Sequence, residues 1–163
     1  MKNFFALITC FFSFAAAAQE FVLTPAGFDA IEIQRPDKTD EKLIEAAENW
    51  AAYYNKQQYD TYNVTSNSID IDAMKDNAFF YRNVGETFSH RIKYTLRVNL
   101  LPESIRLEFI VKEIYSKKTL LKMTTADFFL PDGRTKEDME EAKRSLEKTA
   151  NNVLLSFARF IQN

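Results

Sequence analysis

Two stretches of alternating apolar and polar residues, joined by a short turn, constrain the fold of this chain more than any other feature. Over residues 91–100, five apolar side chains alternate with polar or basic ones, and the same period of two returns over residues 105–112. A period of two is typical of a strand with one buried and one solvent-facing side. Residues 101–104, which include a proline, turn the chain, so the pattern predicts an antiparallel pair. The alternation slips at 113–115, where we expect a bulge or the end of the strand.

Helical spacing is found on both sides of this pair. A strand predicted over 28–34 is followed by an amphipathic helix over 40–57, for which Thr39 is the expected N-cap. Near the C-terminus, an apolar stripe at helical spacing continues to the end of the chain. We expect this long helix to begin at Thr135, with Asp138 completing a motif that resembles a capping box.

Shorter extended segments fill the remaining sequence. Residues 59–65 and 68–73 predict two short strands joined as a hairpin, and residues 78–81 predict a short edge strand before a turn at 83–86. A further extended piece is expected over 119–125. Because each strand has one apolar and one polar side, the sequence predicts an α+β two-layer sandwich. In it, an antiparallel sheet carries the helix after its first strand and the long C-terminal helix on one face, and the other face stays wet.

The first 18 residues have the pattern of a secretory signal peptide. Lys2 precedes an apolar run, and three alanines at 16–18 form a small-residue cleavage site before Gln19. The run is shorter than the roughly 20 residues that cross a bilayer. We therefore expect an exported protein, periplasmic or secreted, with one α+β domain over residues 19–163 and no transmembrane segment in the mature chain. Cys10 lies inside the apolar run after Thr9, a poor match to a lipoprotein cleavage site, so lipid attachment is not expected.

The composition excludes several classes of site. Only three glycines are present, so a glycine-rich loop around phosphates is not expected, and one cysteine and one histidine are too few for a zinc site. Without the 18-residue leader, the 23 acidic residues slightly outnumber the basic ones. We therefore expect no cofactor, no metal and no nucleic acid partner.

Several segments together match a known layout. They are an alanine-rich leader that ends in Ala-Gln-Glu, a helix with Leu43 and Trp50, a hairpin at 68–73, the paired strands 91–98 and 105–109, and the closing helix. In these features the chain resembles a family of exported domains of unknown function from Bacteroidota with a fold like that of the TATA-binding protein (TBP). The resemblance implies a β-α-β4-α sandwich, related to helix-grip folds, and no catalytic residue.

This chain departs from the family pattern at two places. Glu108 stands where the family pattern has a second arginine, and residues 43–44 are Leu-Ile where the family often has an aromatic residue.

The polar side of the long strand pair is the first candidate binding surface. Its basic residues are Arg91, Lys93, Arg97, Arg106 and Lys112. Such a face could contact anionic envelope components or the acidic face of a partner. The alternative is an ordinary solvated face whose charge is neutralised by Glu108 and other acids.

Aromatic residues suggest a second candidate. Trp50, Tyr54, Tyr59 and Tyr62 belong to a dense aromatic group. Tyrosines have an apolar body and a polar tip, so these residues could line a groove between helix and sheet for an apolar or carbohydrate ligand. The alternative is that they belong to the core and its rim.

Two further patterns point to catalysis or metal binding only weakly. Ser89 and His90 are neighbours on a strand and so point to opposite faces, which prevents a nucleophile and base from meeting. Asp70, Asp72 and Asp76 resemble part of a calcium loop but lack its central glycine and its final glutamate, so solvated acids are the better interpretation.

The sequence therefore predicts a non-catalytic, exported binding or interaction domain in the bacterial cell envelope, with an unknown envelope protein as its partner. The alternative from another class is a carrier of a small apolar ligand, held in a groove between the C-terminal helix and the sheet.

Overall fold

The computed structural model describes residues 19–56 and 58–163. The signal peptide and its Cys10 lie outside these residues and stay predictions. In chain order, the strands of the described part are β1 (Leu23–Thr24), β2 (Gly27–Phe28), β3 (Ile31–Gln34), β4 (Tyr59–Tyr62), β5 (Ser68–Asn83), β6 (Glu86–Leu100), β7 (Ser104–Ser116) and β8 (Thr119–Leu120). The α-helices are α1 (Asp40–Asn55) and α2 (Glu140–Gln162), and short 3-10 helices span Thr125–Phe128 and Glu137–Met139.

The main sheet is antiparallel throughout. Its strands lie in the order β3-β7-β6-β5-β4, and β8 pairs with the end of β7, while β1 and β2 form a separate two-stranded ribbon. The predicted order of strand, helix, four strands and helix is confirmed, with β8 and the small ribbon as additions. No helix in the described ranges has both the length and the apolar character that a membrane span requires.

The core lies between the sheet and the two helices. The apolar positions of β6 predicted from the alternation are buried, as are those of β7 from Ile105 to Phe109. On α2, Ala142, Leu146, Ala150, Val153 and Phe157 are each 0% exposed. We call this side of the sheet the inner face, and the opposite side the outer face. Both α-helices of the described residues pack on the inner face.

The N-terminal segment before β3 is tied to α2. Phe21 and Leu23 are buried. The backbone of Phe21 donates to the side-chain amide of Asn151 at 2.8 Å and accepts from it at 3.0 Å. The N–H of Leu23 donates to Glu147 at 2.9 Å. This segment therefore belongs to the packed domain.

Several predicted boundaries differ from the structure. The two pieces predicted at 68–73 and 78–81 are one strand, β5, because its pairing with β6 resumes after an irregularity between Lys75 and Phe79. The turn at 83–86 is confirmed: Val84 and Gly85 both have positive φ, as tight hairpin turns require. The bulge expected near 113–115 is also present, since Lys112 is the extra residue between two pairs of β6 and β7.

The predicted helix start at Thr135 is wrong. Thr135 pairs with Phe129 in an isolated β-bridge, which holds it in extended conformation. The 3-10 turn Glu137–Met139 leads into α2 instead, and no side chain caps either helix start. The extended piece predicted over 119–125 shortens to β8, because a 3-10 helix begins at Thr125.

Candidate functional site

The outer face is built by the same alternation that buries the inner face. Because Ile69 and Ile71 point inward, Asp70 and Asp72 point outward on β5. Their neighbours on β6 and β7 that also point outward are Lys93, Thr95, Arg97, Arg106, Glu108 and Lys112. All five predicted basic residues thus lie on or beside one face, as expected.

Acidic residues of β5 pair with basic residues of β6 along this face. Arg97 contacts Asp70 with two nitrogen–oxygen distances of 2.8 and 3.2 Å. The Lys93 ammonium lies 3.6 Å from Asp72, and Arg91 forms an ion pair with Asp76. The three aspartates that resemble a fragment of a calcium loop are therefore the partners of three residues of the predicted basic surface.

The pairing continues onto β7. Glu108 lies 3.3 Å from Arg97 and 3.5 Å from Arg106, so it bridges two cations. Lys112 has no carboxylate within 4 Å among the described residues. Four of the five predicted cations thus form ion pairs with adjacent acids, as in the alternative of a solvated face whose charge is neutralised. Binding by this face stays a prediction.

The centre of the outer face is partly closed to solvent. Asp70 is 4% exposed and Thr95 is 0% exposed, although both point away from the helices. Thr95 and Tyr62 donate hydrogen bonds to Asp72 at 2.5 and 3.0 Å. These contacts hold the polar side chains in fixed positions.

Asp70 is the electrostatic centre of this network. Its burial acts to raise the pKa of the carboxyl group. Hydrogen bonds from Arg97 and from Asn63, the latter at 3.0 Å, together with the charges of Arg97 and Lys112, act in the other direction and hold the pKa of Asp70 below its usual value. Asp70 is therefore ionised at neutral pH and depends on Arg97.

The four residues of the predicted aromatic groove do not come together. Trp50 is fully buried and stacks on Tyr54 with ring centroids 5.1 Å apart. Tyr59 lies on the edge strand β4 opposite Ala73, and it is 38% exposed. Tyr62 donates to Asp72 on the outer face. Only the first two share one site, and that site is part of the core.

Side chains fill the space between α2 and the sheet. Trp50 packs edge-on against Phe157 at 5.2 Å, and its indole N–H donates to Ser156 at 3.1 Å. The apolar stripe of α2 is buried from Ala142 to Ile161. These contacts occupy the place where the predicted ligand groove would lie.

Ser89 and His90 point to opposite sides of β6. The Ser89 hydroxyl donates to Asn77 at 2.7 Å. The His90 ring stacks on Phe79 at 4.7 Å and on Tyr81 at 5.4 Å. Burial lowers the pKa of His90, so the ring is neutral at pH 7. His90 is thus one member of an aromatic ladder and not the partner of Ser89.

An open cleft of about 470 Å³ lies where β7 ends beside β6. It is lined by Asp76, Asn77, Thr87, Phe88, Ser89, His90, Arg91, Ser116 and Lys117. This cleft could not be predicted from the sequence because it arises from unequal strand lengths. The available signal was the alternation of β6, which extends backward past residue 91 to Phe88.

The comparisons with known proteins agree with this architecture. No protein-family model matches the chain, and neither does any curated protein. A solved structure of a DUF4468 family protein from Bacteroides ovatus is similar, with a TM-score of 0.62 and 13% identity over 83% of this chain and 85% of that one. A TBP-like protein from Parabacteroides distasonis has a TM-score of 0.61 and 13% identity, over 83% of this chain and 92% of the other. The chain therefore has the TBP-like fold that the resemblance predicted.

Proposed function

We propose, from a TBP-like fold with one uncovered sheet face, that this chain is exported and acts as a non-catalytic interaction domain of the bacterial cell envelope. In this proposal the outer face contacts a partner protein. The observation that carries it is the ordered charge network on a face that no helix covers, in which Arg97 is held by both Asp70 and Glu108.

Such a surface suits protein recognition for an energetic reason. Ordering a long side chain on binding costs about 0.5–1.5 kcal/mol. Arg97 is already fixed by two carboxylates, so less of this cost remains when a partner binds. Since charges of both signs alternate across the face, we expect a partner with a polar, charge-patterned surface and not a polyanion.

The alternative function, a carrier of an apolar ligand, would need a chamber between α2 and the sheet, and side chains of the described residues occupy that layer. Phe157 and Leu146 are 0% exposed and fill the layer between α2 and the sheet. Native mass spectrometry of the protein purified from cells checks this point. We expect the mass of the polypeptide alone, and a stoichiometric lipid or other apolar molecule would favour the carrier.

Export is tested by the mature N-terminus. We expect N-terminal sequencing of the envelope or secreted fraction to begin near Gln19, and intact mass to show a chain without cysteine. A diacylglyceryl group on Cys10 would make the protein a lipoprotein and contradict this prediction.

The interaction is tested by site-specific photo-crosslinking in living cells. A photoreactive residue replaces Lys112 on the outer face or, as a matched control, the exposed Lys148 on α2. We expect an adduct of one defined mass from position 112 and none from position 148. No adduct from 112, or the same adducts from both positions, would contradict the proposed surface.

A further inference from the structure

The hairpin of β5 and β6 extends beyond its neighbouring strands. On one side, the pairing of β4 ends at Ala73. On the other side, the pairing of β7 ends where Ser116 lies opposite His90. The part of the hairpin from Phe79 to the turn therefore has a free edge on each side.

The β5 edge is covered by α2. The Thr149 hydroxyl donates to the carbonyl of Ala78 at 2.6 Å, and the N–H of Phe80 donates to the Ser145 hydroxyl at 3.1 Å. Helix side chains thus take the place of a neighbouring strand. This is one of the ways in which proteins protect the edge of a sheet.

The β6 edge is uncovered. The two-residue turn makes Asn83 and Glu86 a hydrogen-bonded pair, and alternation then directs the backbone N–H and C=O of Phe88 and His90 toward β5. The N–H and C=O groups of Thr87 and Ser89 point the other way, into the cleft. The N–H of Phe80, which lies opposite Ser89, donates to Ser145 on α2 and therefore points away from β6. This confirms that Phe80 and Ser89 form a non-hydrogen-bonded pair.

The pairing of His90 with Ser116 uses one of these four backbone groups, since the C=O of Ser89 accepts from the N–H of Lys117. The other three, the N–H and C=O of Thr87 and the N–H of Ser89, have no partner in the described residues. Residues 86–89 include no lysine, proline or bulge, with which natural edges often prevent pairing, and Glu86 is their one charged residue. The cleft beside it is bounded by the end of β7. It therefore leaves space in line with β7 for additional extended chain.

We propose that this edge binds an extended peptide segment of a partner protein, which adds as a short strand beside residues 86–89. The inference rests on the proposed function, because it takes the chain to be an interaction domain. Backbone hydrogen bonds to Thr87 and Ser89 supply the affinity, as in other complexes formed by strand addition.

The flanking residues define the chemistry of that segment. Phe88 is 37% exposed on the same side of β6 as His90, so an apolar side chain of the segment packs there. Lys117, which lines the cleft directly after the end of β7, has no carboxylate within 4 Å among the described residues. A segment that alternates apolar and polar residues, with an acid at the end near Lys117, fits both features.

Amide hydrogen exchange measured by NMR gives the first test. In the isolated exported chain, we expect the N–H groups of Thr87 and Ser89 to exchange fast and those of Phe88, His90 and Phe80 to exchange slowly. Protection of Thr87 and Ser89 in the isolated chain would overturn the proposal, because the edge would already be occupied.

Selection from a displayed library of random linear decapeptides gives the second test. We expect enriched peptides to shift the NMR signals of residues 86–89 and to carry the alternation described above. Thr87→Pro, which removes an outward N–H without breaking a bond to β5, should weaken binding at least about tenfold. Thr87→Val is the matched control and should bind like the wild type, because it keeps the N–H.

If Thr87→Pro does not fold, N-methylation of alternate amides in the selected peptide tests the same hydrogen bonds on the wild-type chain. The proposal is overturned if no peptide is enriched, if the signals of Arg106 and Lys112 shift instead, or if the backbone changes do not affect binding. An adduct at position 112 together with any of these results would leave the proposed function standing and reject the peptide site alone.

Discussion

The two faces of the main sheet bury side chains by different physical means. On the inner face, burial depends mainly on shape: Phe157 fits edge-on against Trp50, whose single polar group, the indole N–H, donates to Ser156. On the outer face, Asp70 is almost as buried, but it is charged and needs Arg97 in one position. The inner face therefore depends on volume, whereas the outer face depends on strand register, since a shift of one residue would separate each acid from its base.

The largest expected effect is on the inner face. Phe157→Ala removes a fully buried ring and should lower the free energy of unfolding by about 3–5 kcal/mol, measured by urea denaturation. Leu155→Ala on the same helix is the control; because Leu155 is 49% exposed, its effect should stay within about 0.5 kcal/mol. A loss below about 1 kcal/mol for Phe157→Ala would mean that the layer between α2 and the sheet is loosely packed, as a ligand carrier requires.

The outer face should be most sensitive at Arg97. Arg97→Met leaves the Asp70 carboxylate nearly buried with only Asn63 as its close partner, and should cost about 2–3 kcal/mol, less than a fully buried pair because Arg97 is 39% exposed. Adding Asp70→Asn removes the stranded charge and should recover part of this loss. If Arg97→Met with Asp70→Asn is less stable than Arg97→Met alone, the unpaired charge of Asp70 is not the cause of the loss, and strand register contributes more than charge to the stability of the outer face.

The same pair predicts a dependence on pH. Since the pKa of Asp70 is below its usual value in the folded chain, the stabilisation it gives is present above pH 4 and is lost as the pH falls through the folded value. In Arg97→Met the buried Asp70 carboxylate destabilises the folded chain only while it is ionised. The stability difference between wild type and Arg97→Met should therefore narrow as the pH is lowered from 7 to 3, and a constant difference would contradict the electrostatic explanation.

A smaller effect is expected where the inner-face helix covers the sheet edge. Thr149→Val keeps the side-chain shape but removes the hydrogen bond to Ala78, and should cost about 1 kcal/mol. Local opening of the hairpin should increase, so that the N–H of Phe80 exchanges faster. Unchanged exchange at Phe80 would show that packing alone holds the edge.

The smallest effect is expected at Arg106. It is 49% exposed and lies 3.5 Å from Glu108, so Arg106→Ala should change stability by about 0.5 kcal/mol or less. The contrast with Arg97→Met separates the structural part of the outer face from the part available to a partner. A loss as large as that of Arg97→Met would show that the network acts as one unit.

The inner face could be predicted from sequence almost completely, because alternation over 91–100 requires only local information. The outer face could not. Asp70 and Arg97 are 27 residues apart, and their pairing follows from the length of the hairpin between them. The irregularity between Lys75 and Phe79 made β5 look like two strands, so neither that register nor the free edge of β6 could be derived. At Thr135, a β-bridge to Phe129 across the intervening turn overrode a favourable capping pattern.

The two hydrogen bonds between Asn151 and Phe21 affect the order in which parts of the domain can fold. The two residues are 130 positions apart, so the backbone groups of Phe21 lack their side-chain partner until the last helix has been made. Contacts of this sequence separation slow folding, since most of the loop must close before they form. Until α2 forms, Phe21 and Leu23 can be covered only in part, by Phe28 and Phe109. A chain truncated before residue 147 would lack both Glu147 and Asn151. Its N-terminal apolar segment would then be more accessible to proteases and to aggregation with other chains.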